Sequence, residues 1–74
     1  MDKKPEISIV VPVYNEESLV EELVSRLKSV CDGLSRSYEI VIVDDGSDDG
    51  SFEKLKRIKE TDEALRLIRL TRNF

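Results

Sequence analysis

No histidine occurs in the 74 residues, and Cys31 is the lone cysteine. A soft metal site built from imidazoles and thiolates is thereby excluded, as is an intrachain disulfide, and a reducing compartment is the simpler setting. Long apolar runs are missing as well. The longest, Ile9 to Val13 with Pro12 inside it, is far short of the ~20 residues that span a bilayer, and the opening MDKKPE lacks the apolar core of a secretory signal. A cytoplasmic chain is therefore expected. Positive charge is neither abundant nor gathered: 16 acids against 12 bases leave a net charge of −4, with the bases dispersed along the chain. No partnership with nucleic acid is expected, because phosphate neutralisation needs a basic patch. Glycine-rich phosphate loops are also absent. Without GxGxxG after the first strand a nicotinamide or flavin site lacks its turn, and without GxxxxGK[ST] there is no P-loop. A phosphorelay receiver would carry its paired acids after the first strand rather than the second.

What the sequence does contain is a regular alternation of two periods. Ile7 to Tyr14 is β-branched and apolar on both parities, which predicts a strand. Leu19, Val20, Leu23, Val24, Leu27 and Val30 then recur at helical spacing, with Asn15 as the expected N-cap, Glu16 and Glu17 at the positive end of the dipole, and Gly33 as the stop. Tyr38 to Val43 predicts a second strand. Phe52, Leu55 and Ile58 mark a second helix capped by Asp48 or Asp49, and Leu65 to Thr71 a third strand that includes Arg66 and Arg69. The order βαβαβ predicts an α/β fold with a three-stranded parallel sheet, strand order 3-2-1, and right-handed crossovers that put both helices on one face. Ile40 and Ile42 alternate with Val41 and Val43, so both faces of the middle strand are apolar while helices are available for one. Cover for the other face has to come from a longer parent protein, a partner or a second copy. A unit of this length buries only roughly 60% of its unfolded surface, and residues 1–74 read as the N-terminal portion of a larger domain. The bare face and the unpaired edge of strand one predict a homo-oligomer.

Two segments, PVYNEE after strand one and DDGSDDG after strand two, fall at the carboxyl edge, where open α/β sheets bind ligands. Pro12 interrupts the ladder and lets the backbone turn. Tyr14 offers a flat ring for a base, although strand-end packing would also account for it. Asp44 and Asp45 alternate in direction, and a carboxylate here can accept from a ribose hydroxyl or a base N–H. Asp48, Asp49 and Ser51 read as turn and cap chemistry. Glu16 and Glu17 could be surface acids matched to a dipole, and Arg69 and Arg72 could be either solvated or anion-facing. Cys31, beside Val30, reads as a small buried hydrophobe.

The blocks IVVPVYNEE at 9–17, EIVIVDDGSDDGS at 39–51 and IRLTRNF at 68–74 resemble, in order and over nearly the whole chain, the opening of family 2 glycosyltransferases of GT-A fold. The likeness is greatest to the polyprenyl-phosphate (dolichol-phosphate type) sugar transferases. The resemblance implies the first half of a Rossmann-like nucleotide-binding domain in an inverting enzyme that takes sugar from a UDP- or GDP-sugar. The acceptor it implies is a lipid phosphate at the cytoplasmic face of the membrane. It also implies that Pro12 and Tyr14 hold the nucleobase, that Glu16 lies near ribose and diphosphate, and that Asp45, with Asp44 as the weaker candidate, binds base or ribose. Arg72 and Asn73 would approach the donor. The family's DxD motif, which holds Mg2+ or Mn2+, and its general-base Asp belong to later sequence, so no catalytic residue and no metal ligand are assigned here, and the 74 residues alone should not catalyse transfer. The competing readings are a self-associating structural fragment without ligand affinity and an unrelated parallel α/β module with ordinary caps.

Overall fold

The computed structural model describes residues 4–71, and Arg72 and Asn73 lie outside them. Five elements follow in the expected order: β1 (Ile7–Val13), α1 (Val20–Asp32), β2 (Tyr38–Asp44), α2 (Ser51–Glu60) and β3 (Leu65–Arg69). The strands form one parallel sheet ordered β1-β2-β3. β1 pairs β2 from Ile7↔Tyr38 to Val13↔Asp44, and β2 pairs β3 from Ile40↔Leu65 to Asp44↔Arg69. The ladder runs one step past these limits, since Asp45 N–H donates to Val13 C=O at 2.9 Å and Leu70 N–H to Asp44 C=O at 2.8 Å.

One apolar layer holds the unit together. Val13, Ile40, Ile42 and Leu65 from the sheet pack with Val20 and Val24 of α1 and Leu55 of α2, all buried. Burying each such side chain is worth about 1.5–3 kcal/mol. Both helices therefore lie on the same face, as the handedness of the crossovers requires. Their stripe is wider than the surface that receives it. Val20, Val24 and Cys31 are buried and Leu23 and Leu27 partly so, but Leu19 and Val30 remain 51% and 65% exposed, contrary to the sequence expectation. Among the described residues the helical layer holds only α1 and α2.

Capping departs from the sequence expectation in an instructive way. Leu19, not Asn15, occupies the N-cap of α1, and Gly50, not Asp48 or Asp49, that of α2; neither makes a side-chain cap bond. Asn15 instead adopts a left-handed backbone (φ 48°), which asparagine tolerates better than most residues. Its side-chain oxygen is committed to the next loop rather than to its own helix. Gly33 closes α1 as expected. None of the described helices is long and apolar enough to cross a membrane.

Candidate functional site

The carboxyl edge of the sheet is built by two loops, residues 14–19 after β1 and 45–50 after β2, and reciprocal hydrogen bonds join them. Asn15 N–H donates to Ser47 Oγ at 2.9 Å, and Asp48 N–H returns to Asn15 Oδ1 at 2.8 Å. Two residues on the exchange repeats: Glu17 N–H donates to Asp49 Oδ2 at 3.3 Å, and Gly50 N–H to Glu17 Oε1 at 2.8 Å. Lys54 Nζ adds a bond to Glu17 C=O at 3.1 Å. Glu17, expected at the dipole of α1, thus accepts from the Gly50 amide at the N-cap of α2.

Two buried serines act as relays inside this seam. Ser47 Oγ accepts from Asn15 N–H and passes its own proton to Asp44 Oδ1, while Ser51 Oγ accepts from Glu16 N–H at 2.9 Å and donates to Asp49 Oδ1 at 2.6 Å. A hydroxyl has one donor and two acceptor sites, so each serine can satisfy an amide and a carboxylate at once. Ser51 N–H also donates to Asp49 at 2.9 Å. These bonds, led by the Ser51 hydroxyl, hold the Asp49 carboxyl below its ordinary value of 3.8. Gly46 turns the chain between the acids at φ 75°.

The acids of DDGSDDG are therefore divided by direction. Asp44, in phase with Ile40 and Ile42, turns toward the helices and is wholly buried. Asp45 follows Val43 on the other parity, half-buried at the open side. The register sets Pro12 opposite Val43, and one step beyond the Val13↔Asp44 pair come Tyr14 and Asp45. Pro12 and Glu16 are exposed and Tyr14 is 42% exposed. Of the five residues singled out from sequence, Pro12 lies one step before the last residue of β1, and Tyr14 and Asp45 come directly after β1 and β2. Glu16 stands in the adjoining loop, and Asp44 is buried toward the helices.

Arg69, for which the sequence left solvated and anion-facing roles open, is half exposed and engaged within the protein. Paired in register with Asp44, it places its guanidinium 4.5 Å from the Phe52 ring centroid, its Nε 3.8 Å from Asp44 Oδ2, and its Nη2 3.4 Å from the Ser47 carbonyl. Sequence reasoning also missed Asn15, Glu17 and Ser47 as the fasteners of the edge. Their local signal, polar side chains in the loops that follow two strands, suits any turn. Among the described residues no three Asp, Glu or Cys side chains are grouped to hold a metal ion, and Glu17, Asp44 and Asp49 are already engaged within the protein.

Comparison with known proteins supplies the family. The sequence model of glycosyl transferase family 2 matches residues 8–74. An uncharacterized glycosyltransferase of Bacillus subtilis (strain 168) is 43% identical over all 74 residues, which cover 23% of that protein. The undecaprenyl-phosphate 4-deoxy-4-formamido-L-arabinose transferase of Pseudomonas paraeruginosa (strain DSM 24068 / PA7) is 46% identical over 69 residues, 92% of this chain and 20% of that one. Among solved structures, a mannosyltransferase of Pyrobaculum calidifontis in complex with GDP-Man and Mn2+ superposes with a TM-score of 0.74 and 32% identity, over 96% of this chain and 21% of its own. The chain spans about a fifth of the length of these relatives. Three parallel strands, two helices on one face and the matched blocks at the carboxyl edge agree with this assignment: the chain belongs to glycosyl transferase family 2.

Proposed function

We propose that residues 1–74 form the N-terminal, nucleotide-sugar-binding portion of an inverting glycosyltransferase that passes sugar from a nucleoside diphosphate to a polyprenyl phosphate. The observation that carries this is the register at the carboxyl edge, which sets Pro12 opposite Val43 and Val13 opposite Asp44, so that Tyr14 and Asp45 follow side by side with Glu16 in the neighbouring loop. In this reading Tyr14 stacks on the base, Asp45 accepts from base or ribose, and Glu16 lies toward the diphosphate. Asp44 does not touch the ligand but fixes the turn that presents Asp45. The undecaprenyl-phosphate transferases among the relatives support the lipid acceptor and a place at the membrane, and the GDP-Man complex supports a nucleotide-sugar donor. The Mn2+ of that complex supports a divalent ion in the whole enzyme. In this reading the metal and the general base belong to later sequence of a longer protein, and the 74 residues by themselves bind without turnover.

Titration with UDP and GDP tests this reading. Amide shifts centred on Tyr14 and Asp45 are expected in the NMR spectrum. Their absence at millimolar nucleotide overturns it and favours the structural-fragment reading, for which the exposed apolar sheet face is the supporting observation.

A further inference from the structure

We infer that Arg69 and Asp44 are a positioning pair that sets the β2–α2 turn from behind and so determines how firmly Asp45 is held for a nucleotide; this rests on the binding role proposed for Asp45. Asp44 is 0% exposed, and only one of its oxygens is satisfied: Oδ1 takes both the amide and the hydroxyl of Ser47, while Oδ2 has no hydrogen-bond partner. The charge facing that orphaned oxygen is Arg69, 3.8 Å away. A buried carboxylate without a counter-charge is costly, and the guanidinium is the counter-charge set against Asp44 inside the turn. Arg69 is itself fixed on three sides, by the Phe52 ring, by Asp44 and by the Ser47 carbonyl. It thereby grips the turn at both ends of the Asp44–Ser47 span, with Asp45 and the left-handed Gly46 between them. A planar guanidinium can stack and reach two acceptors together, which an ammonium cannot do equally well.

The variants Arg69→Gln, Arg69→Lys and Asp44→Asn, made in the 74-residue chain, separate this role from generic stabilisation. Two quantities are measured on each: hydrogen exchange of the Ser47 amide, and GDP and UDP affinity under conditions where every variant is more than roughly 99% folded, so that lost stability alone cannot move affinity. Arg69→Gln is expected to speed Ser47 exchange and weaken nucleotide binding about tenfold, the scale of one buried acceptor losing its partner. Arg69→Lys should recover part of both. Asp44→Asn keeps the acceptor for Ser47 but removes the charge, so adding Arg69→Gln to it should cost much less than in the native background. Unchanged Ser47 exchange in Arg69→Gln, or full additivity of the two substitutions, overturns the inference. If the native chain binds neither nucleotide, the proposed function fails, and the exchange arm still decides whether Arg69 sets the turn.

Discussion

At the scale of single residues, the edge depends on two serines more than on its acids. Replacing Ser47 or Ser51 by alanine strands the amide of Asn15 or Glu16 and leaves the carboxylate oxygen only the backbone N–H of the substituted residue. Each variant should lose about 1–3 kcal/mol in urea unfolding, although alanine is otherwise easily accommodated in a turn or at a helix start. Asp45→Asn should weaken nucleotide binding in titrations with GDP and UDP; equal affinity would favour an ordinary α/β module. The sequence divides the four acids into a ligand pair, Asp44 with Asp45, and a cap pair, Asp48 with Asp49. The structure divides them by partner, with Asp44 and Asp49 held by serines. Half of this was legible, because Asp44 with Ser47 and Asp49 with Ser51 are local turn spacings. The other half was not, since the amides those serines capture arrive from 32 and 35 residues away.

At the scale of elements, strands were easier to read than helix ends. A β-branched run such as Ile40 to Val43 leaves little choice of conformation, and the alternation that assigns Val41 and Val43 to the open face follows from the period of two. Helix starts depend on whether a polar side chain serves its own helix or another segment, which spacing cannot reveal. Asn15 and Glu17 both serve the far loop. The start of α2 yields two predictions. A Cβ at Gly50 would meet the Glu17 carboxylate at 2.6 Å; Gly50→Ala should displace that side chain, visible as loss of the Gly50 amide's protection, at small cost because the obstacle is the end of a flexible chain. The second concerns acid. Because the folded Asp49 carboxyl sits below 3.8, its contribution is complete above the ordinary carboxylate range and is lost as pH falls through the folded value. Asp49→Asn should therefore be less stable than the native chain at neutral pH, and the difference should close in a pH titration of unfolding below 3.8.

At the scale of the whole molecule, α1 and α2 cover one face of the sheet, and among the described residues no element covers the other. Val10, Ile68 and Leu70 are 64%, 47% and 46% exposed on the bare side, with Val41 and Val43 between them and a polar row of Glu39 and Arg66 (3.6 Å) at one end. A continuous apolar surface of this kind favours association. Light scattering at roughly tens of micromolar should show self-association of the 74-residue chain, and Val10→Lys with Ile68→Lys should return it to a monomer. A native monomer at that concentration contradicts the expectation.

The seam between the two loops also has a kinetic consequence. Its bonds join residues 32 to 37 positions apart, so none can close until β1 and β2 have paired and α1 has crossed between them. Such contacts belong late on the folding route. Substitutions at Asn15, Glu17, Ser47 or Ser51 should accordingly hasten unfolding while leaving the refolding rate almost untouched. The edge would then be the last part of the unit to assemble and the first to open.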